Sequence, residues 1–225
     1  MIQTYSDFEV IIVDGASTDE TLLKIQQFND KRIKVVSEKD DGLYHALNKG
    51  ISMATGDVVG FLHSDDFFPD AFVLENLHKL LQSEQVDGVY SNLKYVSQSD
   101  SNKVVRDWKS KPFKIENLKF GWMPPHPTLF LKRDIYNTLG GFNTNFRIAA
   151  DYDFILRLFS SNKFQIKYLN MYTTHMRVGG ASNKSFKSIF QKSMEDYKVI
   201  SQYSLLGFFT LVFKNLRKIP QAFSA

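Results

Sequence analysis

The chain contains no cysteine, which removes disulfides, thiolate metal sites and cysteine nucleophiles and suits a reducing compartment. No apolar run reaches the roughly 18 residues needed to span a bilayer. Residues 1–7 have neither the basic nor the apolar stretch of a signal peptide. Internal repeats and low-complexity linkers are absent, and no acidic residue follows Asp196. The net charge is a modest +4, and the aromatic residues form no RNA-binding motif, so no nucleic-acid partner is expected. Together these absences predict a cytoplasmic protein that does not cross a membrane.

What is present is enough for a sizeable core. Of the 225 residues, 43% are hydrophobic, with 20 Phe and 10 Tyr. The aromatic surplus suits core, an aromatic-lined groove or a membrane-facing surface. Residues 8–13 are an apolar, β-branched run bounded by Asp14-Gly15, the signature of a buried strand. Ser17 and Glu20 have capping-box spacing ahead of Leu22, Leu23, Ile25 and Phe28 at helical intervals. A second strand is expected at 33–36, a helix behind Gly42 ending near Gly56, a third strand at 57–62, a helix over 69–82 and a fourth strand at 87–90. This alternation predicts an α/β fold with a mostly parallel sheet.

Beyond residue 90 the pattern changes. Residues 95–108 read as a hairpin, and the proline-rich stretch 121–127 is too stiff for a helix. A strand at 128–131, helices over 133–139 and 151–160, and a last strand at 164–169 follow. The remainder is a basic, amphipathic helical tail.

The most informative feature is the apolar strand 57–62 that runs into His63-Ser64-Asp65-Asp66. A buried parallel strand delivers its C-terminal end to the ligand crevice of an α/β sheet. Carboxylates placed there face solvent, a cation or a ligand. Hard divalent cations that carry substrate phosphates take one or two such oxygens. The competing reading is a solvated acidic turn before a helix.

Several stretches together resemble family 2 glycosyltransferases of the GT-A fold. They are 13–19 (VDGASTD), 41–50 (DGLYHALNKG), the strand from Gly56-Asp57 that ends in Ser64-Asp65-Asp66, Gly140-Gly141-Phe142 with Ala150-Asp151-Tyr152-Asp153 and 156–158, and Gly179-Gly180-Ala181-Ser182. Each is weak alone; their order is what carries the likeness. The nearest look-alikes assemble bacterial surface polysaccharides, capsule and lipopolysaccharide among them. The resemblance implies an inverting, metal-dependent, hexosyl-type enzyme. It would move a sugar from a nucleoside diphosphate sugar, UDP-sugar favoured, to a hydroxyl of a glycan or lipid-linked acceptor. Residues 1–182 would form the GT-A domain, with a donor half (1–90) and an acceptor half (91–182), and 183–225 the tail.

The resemblance also assigns roles. Asp14 looks like a nucleotide contact, joined by Asp41, Gly42, Asn48 and Ser64 around the donor. His63-Ser64-Asp65 stands where the family carries Asp-x-Asp, so Asp65 keeps the position that binds Mn²⁺ or Mg²⁺, with His63 and His175 as further candidate partners. Asp151 matches the catalytic base, although the preceding residue is Ala150 where relatives carry Glu. Asp66, His126, Asp153 and Arg177 are acceptor-side or supporting candidates. Bland readings stand beside these: a turn residue for Asp14, a carboxylate complementing its own helix start for Asp151, a packed histidine for His63 and a structural turn for His126. By the resemblance the family's domain opens with one more strand and helix than this sequence carries, so the first strand is expected to have an exposed edge. A degenerate, non-catalytic nucleotide- or glycan-binding module is therefore the alternative. A nucleotidyltransferase would need a Gly-rich, cation-bearing phosphate loop near the start, and none is visible. The tail either packs on the domain or lies on the inner face of the plasma membrane as a peripheral contact.

Overall fold

The computed structural model describes residues 3–178, 186–203, 205–217 and 221, with only the helix backbone at 186–188. The Gly179–Ser182 motif and Lys218 lie outside the described residues.

Strand β1 (Val10–Asp14) and strand β2 (Ile33–Ser37) pair in parallel across helix α1 (Thr21–Gln26). Their register sets Asp14 beside Ser37 at the C-terminal edge. Ser17 does not cap α1 as its spacing predicts. Its N–H and hydroxyl both turn back to the Asp14 carboxylate, at 2.9 and 2.5 Å. Helix α1 starts only at Thr21, so a local Asx-type bond takes the place of a helix cap. Helix α2 (Leu43–Met53) opens behind Gly42 at φ 126°.

A second, six-stranded sheet carries the rest. It comprises β3 (Val58–Gly60), β4 (Asp66–Phe67), β5 (Gly88–Val96), β6 (Val104–Trp108), β7 (Phe130–Lys132) and β8 (Ile166–Arg177). The order is β3-β7-β5-β8-β4, with β6 also on β5. Only β5–β8 is parallel here; the other pairs are antiparallel. The α/β class is as expected, but the sheet is mixed rather than mostly parallel. Chain reversal between β5 and β6 is a hairpin, which needs no crossover helix.

Sheet β1–β2 has no backbone ladder to the larger sheet among the described residues. Glu9 bridges the gap instead. Its Oε1 accepts the Thr55 N–H (2.6 Å), Thr55 hydroxyl (2.8 Å) and Gly56 N–H (3.1 Å), and its Oε2 meets Lys34 Nζ at 2.6 Å. Val10–Val13 stay only half-buried.

Helices α3 (Val73–Glu84), α4 (Arg133–Leu139) and α5 (Ala150–Ser160) flank the sheet. Tyr90, Tyr152, Phe154, Ile155 and Leu156 are fully enclosed in the main core. Helix α6 (Phe186–Gln202) contributes Val199 and Ile200 to that same core, so this part of the tail is packed on the domain. Helix α7 (Phe208–Leu216) docks through Lys214, whose backbone lies 2.6 Å from where a Cβ on Gly121 would sit, so only glycine fits there. Lys214 Nζ reaches Asp196 Oδ1 at 2.5 Å, with both side chains buried.

A buried pair costs desolvation when made and more when half-broken. Lys214→Met is expected to lower stability by about 3 kcal/mol by stranding Asp196. Adding Asp196→Leu is expected to restore most of the loss. Urea unfolding of the two variants checks this; equal destabilisation by both would contradict it.

Candidate functional site

The turn after β3 is fixed by its backbone. The Asp66 N–H donates to His63 O at 2.9 Å, and β4 then pairs Asp66 with Met176 and Phe67 with His175 at the end of β8. Arg177 donates to Asp65 O through its N–H (3.4 Å) and Nη1 (3.2 Å). The Asp65 backbone is thereby held, while its half-buried carboxylate has no protein hydrogen bond among the described residues. Asp66 is buried, and both its carboxylate oxygens lack a partner. Burial pushes its pKa up to about 7, against the opposing pull of the nearby backbone and Arg177.

Asp151 stands on the first turn of α5. Its Oδ1 accepts the Tyr152 N–H at 2.8 Å and lies 3.3 Å from the Tyr44 hydroxyl, which also donates to Ile148 O at 2.7 Å. No protein partner occupies Oδ2 among the described residues. The start of α5 has no cap of its own. Glu195 of α6 supplies one, its Oε2 accepting the N–H groups of Ile148 (2.8 Å) and Ala149 (3.0 Å).

His63 lies within the fields of both Asp151 and Asp65, yet burial outweighs them and lowers its pKa. Behind it, at 6.1 Å between ring centroids, sits His126, packed on Phe61 and Phe142 at 5.5 and 5.3 Å. Burial drives His126 down to about 4, and its Nε2 has no partner. Asp65, Asp66, His63, His126 and Asp151 thus gather at one place, with the imidazoles neutral at pH 7.

The other predicted residues divide. Asp14 is buried and fully engaged, accepting the Ser17 N–H, the Ser17 hydroxyl and the Ser37 hydroxyl (2.6 Å), which hold its carboxyl below its ordinary range. Asp41, Gly42 and Ser64 are exposed. Asn48 spends its amide on the backbone of Phe142, accepting its N–H (2.7 Å) and donating to its carbonyl (2.8 Å). A Cβ on Gly141 would sit 2.3 Å from Asn48 Oδ1, so the glycine is what admits this clamp. His175 presents its ring edge-on to Phe67. Asp153 is buried: it pairs with Arg157 Nε at 3.0 Å, and Arg157 in turn ties down the carbonyls of Leu139 and Gly141. His126 is a buried histidine in a short 3₁₀ turn (His126–Thr128), which fits the structural-turn reading of that residue.

His63, Asp65 and His175 do not converge as a metal triad. Among the described residues no three His, Asp or Glu side chains do. The Asp66 oxygens are buried, which leaves the half-buried Asp65 carboxylate as the hard donor of the kind Mn²⁺ or Mg²⁺ takes, provided phosphate oxygens complete the shell.

The fold is that of GT-A glycosyltransferases. Staphylococcus aureus TarS (residues 1–349, in complex with UDP-GlcNAc) superposes with a TM-score of 0.69 at 18% identity, over 99% of this chain and 66% of that one. The mannosyltransferase PcManGT of Pyrobaculum calidifontis, in complex with GDP-Man and Mn²⁺, gives 0.62 at 18% identity, over 99% and 66%. The sequence matches the glycosyl transferase family 2 over residues 2–144, and the chain belongs to that family. A PGL/p-HBAD biosynthesis glycosyltransferase of Mycobacterium bovis is 31% identical over 85% of this chain and 74% of its own length. The chondroitin synthase of Pasteurella multocida is 31% identical over 89% of this chain, which spans only 20% of that protein.

Two features escaped the sequence: the Tyr44–Asp151 link and the Glu195 cap. Both join residues far apart in the chain, and no local spacing announces them.

The two buried groups pull stability in opposite directions with pH. A histidine held near 4, below its ordinary 6.5, costs stability as pH falls between those values. A carboxyl raised from 3.8 to about 7 costs stability as pH rises between those values. Asp66→Asn should therefore move the pH of greatest thermal stability upward, and His126→Leu downward. Melting temperatures across the acid-to-neutral range test this; shifts of the reverse sign would refute it.

Proposed function

We propose that this family 2 glycosyltransferase moves a sugar from a nucleoside diphosphate sugar to a hydroxyl of a glycan or lipid-linked acceptor, inverting the anomeric centre. The observation that carries the reading is that Asp65, held in its turn by Arg177, and Asp151, with its Oδ2 left open, both lie near enough to His63 to act on its charge. In this reading one carboxylate would serve the diphosphate side and the other the acceptor. The relatives' names support a place in glycolipid or polysaccharide assembly. TarS with UDP-GlcNAc favours uridine, while PcManGT with GDP-Man keeps guanosine in play.

In this reading Asp151 is the base. Oδ1 is anchored by Tyr152 and Tyr44, which leaves Oδ2 to take the proton from the acceptor hydroxyl. Freed of that proton, the acceptor oxygen attacks the anomeric carbon as the bond to the diphosphate breaks on the far side. Asp65, with the donor's phosphate oxygens completing the shell, would hold a divalent ion. When bound, such an ion supplies charge neutralisation for the departing diphosphate. Asp14 and the exposed Asp41–Gly42 start of α2 would line the nucleotide, with Ser64 near the phosphates. Arg177 positions the Asp65 backbone, and Asn48 positions the Gly141–Phe142 loop.

Asp65→Ala is expected to remove the Mn²⁺-dependent thermal shift given by UDP or GDP. Asp151→Asn is expected to keep that shift and lower sugar transfer by about a hundredfold or more. Turnover of Asp151→Asn at the parent rate would overturn the base assignment. Tyr44→Phe should keep nucleotide binding and lower kcat by about tenfold, with little change in donor KM, because the hydroxyl positions Asp151 and does not bind donor.

A further inference from the structure

Helix α7 turns one side inward and leaves an apolar side outward. Its inward side sets Leu211 on the main core beside two polar anchors: Thr210 is fully enclosed and donates to Lys119 O at 2.8 Å, and Lys214 is buried against Asp196. Its outward side is apolar. Phe209, Phe213 and Leu216 recur at one-turn spacing, and Phe208 and Phe209 are each about two-thirds exposed. The stripe continues onto the 3₁₀ segment Ile115–Phe120. The Phe120 ring meets Phe213 at 5.5 Å edge-on, and Arg217 Nε donates to Phe120 O at 2.9 Å. Ile115, Phe120 and Leu216 are also exposed.

Ordinary packing does not explain this face, because the helix is already docked through its other side. Isolated exposed apolar residues need no explanation, but a contiguous set of aromatics does. The charges around it have one prevailing sign. Lys114, Lys119 and Arg217 are exposed, Glu116 is the carboxylate on the same 3₁₀ segment, and α7 carries no acidic residue. A second copy of this chain would bring two cationic rims together, which disfavours self-association through this face.

We propose that the face formed by Phe120, Phe208, Phe209, Phe213 and Leu216, rimmed by Lys119 and Arg217, seats the protein on an anionic lipid bilayer. The aromatics enter the headgroup boundary while the cations meet lipid phosphates. The helix lies in the interface and does not span it, as none among the described residues is long and apolar enough to cross. The proposal stands apart from the glycosyl-transfer reading, since none of these residues touches the Asp65–Asp151 site.

The test is co-sedimentation of the full chain with phosphatidylcholine vesicles made with or without phosphatidylglycerol. Binding is expected only with the anionic lipid, and raised salt should weaken it. Phe209→Ser with Phe213→Ser should lower binding by more than about tenfold. Lys119→Glu with Arg217→Glu should do so while leaving every apolar residue in place, which covers the case that the first pair perturbs folding. Nucleotide-dependent thermal shifts of the variants, unchanged from the parent, would separate lost docking from lost folding. Failure of the parent to bind, or unaltered binding by both variant pairs, would overturn the proposal. Light scattering that shows a dimer dissolved by the Phe substitutions would assign the face to a second copy instead.

Discussion

A two-residue ladder holds the acidic turn in place. Asp66 and Phe67 pair with Met176 and His175, and Arg177 binds the carbonyl of Asp65. The far end of β8 is what stops the acidic turn from wandering into solvent. β8 can reach that far because it runs parallel to β5 from Gly88 to Val96, at the centre of the larger sheet. The position of the Asp65 carboxylate is thus inherited from the longest strand pairing in the molecule. With its backbone held and its oxygens open, the turn offers negative charge at a fixed place, as a site for a cation-bearing diphosphate requires.

Asp151 is supported from a different direction. Glu195 reaches from α6 to the uncapped start of α5, and Val199 and Ile200 press the same helix into the core. Lys214 and Asp196 then fasten α7 behind it. The C-terminal helices therefore bear on Asp151 through packing as well as presenting a surface of their own. Tyr44 links Asp151 to α2, the helix that opens at the exposed Gly42.

Much of this was legible in the sequence. The Ala150–Asp153 helix start is where the sequence sets it, but the buried parallel strand expected over 57–62 is only Val58–Gly60, largely exposed at the end of the sheet and antiparallel to β7, so the acidic turn is held by β4 and β8 rather than by a buried parallel strand. What misled was polarity inside the sheet. The last strand was expected to stop at 169 because Asn170, Thr173, Thr174 and His175 break the apolar run. They are tolerated because they are paired: Thr173 with the Ser91 hydroxyl at 2.5 Å, Thr174 with Pro127 O at 3.1 Å. The fourth strand was cut short at Tyr90 for the same reason, since Ser91 and Asn92 read as loop residues yet are buried. For Asp153 and His126 a sequence shows a charge or a ring but not the Arg157 or the Phe pair that packs it away. The Ser17 capping box failed because α1 starts only at Thr21, which leaves Ser17 outside the helix and bonded to Asp14.

The central claim is that the turn at Asp65 is a cation site completed by a nucleoside diphosphate. The most direct measurement is electron paramagnetic resonance of Mn²⁺ titrated with the purified chain, with and without UDP or GDP. The account predicts weak Mn²⁺ binding to the chain alone, much tighter binding when one of the nucleotides is present, and loss of that gain in Asp65→Ala. Mn²⁺ binding that is indifferent to both nucleotides, or undiminished by Asp65→Ala, would contradict it.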